Sequence, residues 1–239
     1  MLSFFAPIVL LSSVAVGGVA LAEEITGRAT VLDGDTLRIG EKRVRLSGID
    51  APETDQSCID ASGKRWLCGI AARDRLSTLI ANQPVLCEIS GIDGYDRRLA
   101  SCAVGKENIN RVLVREGLAL AYTKYSQEFV EDEKLARTSK RGFWAGTFIA
   151  PWDWRARTSS TPILGHHTSG ASLNIIFASQ DTPPNPDCLI KGNINKKGDR
   201  IFHMQGQRDY ARVKMKSSAK RWFCTEEEAL AAGWLKAKR

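Results

Sequence analysis

Six cysteines, Cys58, Cys68, Cys87, Cys102, Cys188 and Cys224, lie downstream of an uncharged apolar segment, and these two features together set the terms on which the chain folds. Met1 to Ala22 carries no charged side chain, runs Phe4-Phe5-Ala6-Pro7-Ile8-Val9-Leu10-Leu11, and ends Ala20-Leu21-Ala22 before Glu23-Glu24. That is the pattern of an export segment with a small-x-small cleavage site, lacking only the usual basic residue at its start. We expect residues 1–22 to be a signal peptide, the rest to be periplasmic or secreted, and no stable membrane span to remain after processing. An uncleaved anchor is the rival reading, because the stretch is almost long enough to cross a bilayer. In an oxidising compartment an even number of cysteines implies disulfides. Sequence alone leaves the pairing open, and proximity favours Cys58–Cys68, Cys87–Cys102 and Cys188–Cys224. A zinc site is disfavoured, since no Cys-x-x-Cys pair exists and His203 is the one histidine of the tail.

Charge divides the chain. The net charge is +7 over 239 residues, yet residues 188–239 alone hold 13 Lys and Arg against 5 Asp and Glu, a balance of +8. A near-neutral body therefore precedes a strongly basic tail suited to a polyanion, whether nucleic acid, acidic polysaccharide or an anionic cell surface.

Ile25 to Ile39 alternates and breaks at Asp33-Gly34-Asp35, which predicts two strands joined by a bend. Lys42 to Ile49 reads as a further strand ended by Asp50-Ala51-Pro52-Glu53. Helical spacing over Cys68–Ile80 places Ala71, Leu76 and Ile80 together. Pro84–Ser90 and Arg98–Val104 read as a strand pair that sets Cys87 beside Cys102. Helices follow at Asn108–Glu116, stopped by Gly117, and at about Gln127–Lys140. The tryptophans of Phe143–Phe148 and Pro151–Arg155 are expected to seal the end of the domain. Residues 156–187 are rich in Ser, Thr, Pro and Gly and read as a linker, with a short strand at Leu173–Phe177 and an exposed His166-His167 pair. The tail, 188–239, is near the size at which a disulfide is needed, and Thr225-Glu226-Glu227-Glu228 is a capping-box start for its closing helix.

Three segments concentrate charge in a way that plain surface does not explain: Val31-Leu32-Asp33-Gly34-Asp35-Thr36-Leu37, Arg45-Leu46-Ser47-Gly48-Ile49-Asp50-Ala51-Pro52-Glu53, and Asp93-Gly94-Tyr95-Asp96-Arg97-Arg98-Leu99-Ala100. With Asn110-Arg111-Val112-Leu113-Val114-Arg115-Glu116-Gly117-Leu118-Ala119 they resemble, in order and near-family spacing, the hallmarks of the thermonuclease family, also called the micrococcal or staphylococcal nuclease family. The resemblance covers about residues 26–155. It implies an α+β fold: a closed five-stranded barrel of the oligonucleotide-binding type with three helices, followed here by a small disulfide-closed α+β module. It implies calcium as cofactor, with Asp35, Asp50 and the carbonyl of Ala51 as ligands. Arg45 and Arg97 are then the phosphate-binding arginines and Glu53 the general base or water-orienting residue. Ala51 stands where the family usually has threonine, which matters little for a carbonyl ligand. The family's two substrate tyrosines map onto Tyr122 and onto Lys124, with Tyr125 displaced by one residue. The implied activity is hydrolysis of DNA, RNA or both to products with a 3' phosphate.

The residue types suit that task without the resemblance. Calcium prefers hard oxygen ligands, and two guanidinium forks neutralise the charge that grows on a phosphodiester under attack. Residues 26–155 contain no histidine, which leaves carboxylates to position water. Two rival functions stay open: a noncatalytic nucleic-acid-binding barrel, and an exopolysaccharide or cell-envelope accessory protein that binds acidic polymer through its basic tail. The tail resembles a module on exported bacterial thermonuclease-like proteins, some encoded beside genes for the exopolysaccharide succinoglycan, an association that supplies no chemistry. Its Cys224-Thr225-Glu226-Glu227-Glu228-Ala229 run is similar to part of an extracellular calcium motif but lacks the alternating aspartates of a full loop.

Overall fold

The computed structural model describes residues 23–81, 83–157, 160–166, 176, 183, 186–195, 198–215 and 220–238. The export segment and most of the 156–187 stretch lie outside these. Of the strand expected at Leu173–Phe177 only Ile176 is described; it is helical, and it is buried in a cluster with Ile59, Ile149 and Trp154. Among the described residues no helix is long and apolar enough to cross a membrane.

Five strands close into a barrel: β1 (Glu24–Val31), β2 (Thr36–Ile39), β3 (Lys42–Leu46), β4 (Pro84–Ile92) and β5 (Arg98–Val104). β1 pairs antiparallel with β2 and β4, β2 with β3, and β4 with β5. A parallel β3–β5 ladder, Arg45 opposite Leu99, completes the circuit of these five strands. Alternate residues point inward, and Leu37, Val44, Leu46, Val85, Cys87, Ala100 and Cys102 fill the interior. Cys87 and Cys102 face each other in register and are disulfide-bonded. The expected strand over Lys42–Ile49 stops at Leu46, because Gly48 turns the chain with φ +72°. Ile49 and Asp50 then pair separately with Leu120 and Ala121.

Helix α1 (Cys68–Ile80) lays Leu76 and Ile80 on the barrel core. Helix α2 (Ile109–Arg115) begins at Asn108, whose side chain accepts from the Arg111 amide, and buries Ile109 and Leu113. Gly117 ends it at φ +67°, where a Cβ would stand 2.1 Å from the Arg141 carbonyl, so only glycine lets the two backbones meet. Asn110, fully buried, donates to the carbonyls of Ser47 and Ala100 and accepts from the Cys102 amide, which fixes the turn leading to Asp50. Helix α3 (Val130–Thr138) is shorter than the 127–140 spacing predicted. A last short helix, α4 (Pro151–Arg155), follows the Phe143, Trp144 and Phe148 cluster, whose aromatic rings seal this end of the domain as expected.

The tail is an α+β unit. Strands β6 (Ile190–Ile194), β7 (Arg200–His203), β8 (Lys220–Phe223) and β9 (Leu235–Lys236) form one sheet in the order β8-β6-β7-β9, backed by α5 (Glu226–Ala231). Thr225 caps α5 by accepting from the Glu228 amide. The Glu228 side chain reaches back to the Cys224 amide rather than to that of Thr225, a one-residue variant of the expected box. Disulfides Cys58–Cys68 and Cys188–Cys224 are formed, as proximity suggested. Arg221 pairs with Asp74 of α1, and Val213, Met215 and Trp222 pack with Leu67, so the tail rests on the α1 side of the barrel.

Candidate active site

The bend between β1 and β2 carries the first acid. Asp33 accepts from the Asp35 amide at 3.1 Å, turning the chain so that the Asp35 side chain is buried. Gly34 makes this possible, since a Cβ there would lie 2.8 Å from the Ala51 Cβ and 3.0 Å from that of Ala72. Arg45, opposite Thr36 on β3, sends Nη1 to Asp35 Oδ1 and Nη2 to Asp50 Oδ1, both at 2.6 Å. Asp50 is delivered by its pairing with Leu120, and the Ala51 amide donates to Asp35 Oδ2 at 3.0 Å.

Glu53 joins this group through Arg155, to which the sequence reading gives no role. Arg155, at the end of α4, donates to Asp50 Oδ2 at 2.7 Å, to Asp50 Oδ1 at 3.2 Å and to Glu53 Oε1 at 2.7 Å. The available sequence signal for it is an arginine set directly after Trp154 in a tryptophan-rich run. Arg97 stands apart: its Nε and Nη2 hold Asp93 Oδ2 at 2.8 and 2.7 Å, and its guanidinium lies 5.4 Å from the Tyr95 ring centre. Its turn leads into β5, which runs beside the Arg45 strand, but among the described residues no hydrogen bond or ion pair joins Arg97 to Asp35, Asp50 or Glu53.

Tyr122 is half-buried, its amide bonded to the Gly48 carbonyl and its ring stacked on Trp152 at 5.4 Å between centres. Tyr125 meets Tyr122 edge-on at 4.8 Å, and the Lys124 ammonium lies 5.5 Å from the Tyr125 ring centre. The three expected substrate residues thus form one group, with Trp152 added, beside the strand pairing that holds Asp50.

Burial dominates the electrostatics. Asp35 is pushed up to about 6 by loss of water, with Asp33 adding to the effect and Arg45 and the Ala51 amide opposing it. Asp50 is likewise raised by burial, against the hydrogen bond from Arg155. Burial also works against the Arg155 charge, but Asp50 and Glu53 outweigh it and hold that guanidinium above its ordinary value. Two buried carboxylates this close stay ionised only with cationic partners. Among the described residues no three His, Cys, Asp or Glu side chains form a ready cage. A hard cation here would rest on Asp35, Asp50 and the Ala51 carbonyl, with water completing its shell, and this all-oxygen donor set fits calcium.

Residues 43–146 match the family described as Staphylococcal nuclease homologue, a span that holds Arg45, Asp50, Ala51, Glu53, Arg97 and Tyr122 but neither Asp35 nor Arg155. An uncharacterized endonuclease of Haemophilus influenzae is 31% identical over 153 residues, covering 61% of this chain and 80% of that protein. The chain belongs to the staphylococcal nuclease family. Within that family it is also 35% identical over 143 residues to a micrococcal nuclease of Shigella flexneri, covering 52% of this chain and 76% of the relative. The succinoglycan biosynthesis protein ExoI of Rhizobium meliloti is 36% identical over 127 residues, which span 52% of this chain and 66% of that protein.

Proposed function

We propose that the protein is an exported, calcium-dependent nuclease that hydrolyses phosphodiester bonds of DNA, RNA or both. The observation that carries this reading is the buried Asp35–Arg45–Asp50 series of ion pairs, with Glu53 joined to its outer end through Arg155. Family membership supports a phosphodiester as the substrate class, and the apolar segment at residues 1–22 supports export.

In this reading Asp35, Asp50 and the Ala51 carbonyl hold calcium. Calcium held there would supply polarisation of the scissile phosphate and neutralisation of part of its charge. The guanidinium groups of Arg45 and Arg97 take the non-bridging oxygens, and Asp93 orients the Arg97 fork for that contact. Glu53 accepts a proton from a water whose oxygen forms the new bond to phosphorus. The bond to the 5' oxygen breaks on the opposite side, and that oxygen leaves with a proton from solvent, so the 3' side keeps the phosphate. Tyr122 and Tyr125 offer aromatic surface to a base and Lys124 a cation to the backbone, a combination suited to a single strand.

The test is cleavage of single-stranded DNA and of RNA by the oxidised protein lacking residues 1–22, with calcium or chelator, beside Glu53→Gln and Arg97→Ala. Calcium-dependent cutting that each substitution lowers by about a hundredfold or more is expected. No cutting of either polymer by the folded protein would overturn the reading.

A further inference from the structure

Arg155 lies beyond the residues matched to the family, and nothing in the motifs assigns it a task. Its placement is nevertheless built with care. The Gln56 side-chain amide donates to the Ile149 carbonyl at 2.6 Å, and the Trp154 indole donates to Asp55 Oδ1 at 3.0 Å. Arg157 adds an ion pair to Asp55 at 3.5 Å and lies 4.2 Å from the centre of the Trp154 ring. Trp154 is buried with Ile59 and Ile149. The segment around α4 and the loop Glu53–Gln56 are thereby clamped together, and the last residue of α4 reaches across to the acids.

The contact itself is specific in form. One guanidinium bridges two carboxylates, Nη2 to Asp50 and Nη1 to Glu53, each at 2.7 Å. Among the described residues Arg155 is the only side chain bonded to the Glu53 carboxylate, which is otherwise about one-third exposed. A long carboxylate at a site's rim samples several rotamers unless a partner selects one. A planar fork with fixed donor directions selects one, whereas a single ammonium cannot span two carboxylates in the same way.

We infer that Arg155 is a positioning residue of the nuclease site, locking the Glu53 carboxylate beside Asp50 so that it faces the attacking water. This rests on the nuclease reading above, in which Glu53 orients that water. A carboxylate displaced by about 1 Å loses on the order of a hundredfold in rate while substrate affinity is kept.

The test uses the oxidised chain lacking residues 1–22. For Arg155→Ala we expect kcat to fall about a hundredfold with KM within about threefold, partial activity in Arg155→Lys, and at least tenfold recovery of Arg155→Ala by millimolar guanidinium. A crystal structure of Arg155→Gln should show Glu53 moved away from Asp50 while the Arg45 pairs persist, a readout that does not need activity. A kcat within threefold of the parent overturns the inference. So does a loss expressed in KM alone, which would make Arg155 a phosphate contact, or a loss that guanidinium does not restore. Glu53 unmoved in the Arg155→Gln structure overturns it even if the parent protein cuts nothing, whereas an inactive parent with Glu53 displaced removes the nuclease reading and leaves the positioning intact.

Discussion

Arg45 stands between Asp35 and Asp50 and gives one guanidinium nitrogen to each, at 2.6 Å on both sides. Its side chain is 15% exposed and that of Asp50 is fully buried, so the three charges share little water. Removing the cation leaves Asp35 buried without a cationic partner and Asp50 with Arg155 alone, and the loss exceeds what the pair contributes over an apolar replacement. Arg45→Ala is expected to destabilise the fold by about 3–5 kcal/mol in urea denaturation with chelator present. Adding Asp35→Asn to the same chain should return part of that loss, because the stranded Asp35 charge is gone. A double variant no more stable than Arg45→Ala would place the cost elsewhere.

The Asp35 carboxyl provides a pH test. Burial foremost, with the Asp33 charge, lifts it from 3.8 to about 6. A folded pKa above the unfolded one means that the folded state holds the proton more tightly. The stability that neutral Asp35 confers is therefore complete below about pH 4 and is lost as pH rises towards about 6. Urea midpoints measured in chelator should fall across that interval in the parent protein and fall less in Asp35→Asn. Equal slopes in the two proteins would show that Asp35 titrates where an ordinary carboxyl does.

Gly34 and Ala51 are matched in size. A methyl group at Gly34 would sit 2.8 Å from the Ala51 Cβ and 3.0 Å from the Ala72 Cβ, closer than carbon atoms pack. Gly34→Ala should lower stability by about 1–3 kcal/mol, measured by urea denaturation, through forced displacement of the Asp33–Asp35 bend. Loss of phosphodiester cleavage should be larger than this destabilisation alone explains, since the same bend aims Asp35.

Much of this architecture was legible in the chain. Alternation gave the barrel strands, the local cysteine spacings gave the three disulfides, and the order of the charged motifs pointed to the Asp35, Arg45, Asp50 and Glu53 group. What spacing could not convey was contact across the fold. Arg155 reaches Glu53 over 102 residues of chain, and the packing pattern of its neighbours Trp152 and Trp154 carries no mark of that contact. Trp154 does seal, yet its indole also grips Asp55. Arg97 shows the converse. Its motif marked it as a site residue, but its present partner is the Asp93 of its own turn, a local contact that motif order does not reveal.

The basic tail offers the last prediction. Its core comprises Ile190, Phe202, Phe223, Ala229 and Trp234, with partly buried neighbours, a small interior for a unit of this length. The Cys188–Cys224 bond closes a loop of sequence separation 36 and joins the chain just before β6 to the chain just after β8. A cross-link of that span constrains the unfolded chain by about 3–4 kcal/mol in the loop-entropy account, comparable with what so small a core supplies. The barrel keeps its own bond, Cys87–Cys102, and a much larger interior. Replacing Cys188 and Cys224 by alanine should therefore open the tail selectively. Limited proteolysis read by mass spectrometry should give first cuts within residues 188–239 and leave residues 23–157 whole. If the cutting pattern instead matches that of the parent protein, the contacts on the α1 side, Arg221 to Asp74 and the Val213, Met215 and Trp222 cluster to Leu67, hold the module without its disulfide.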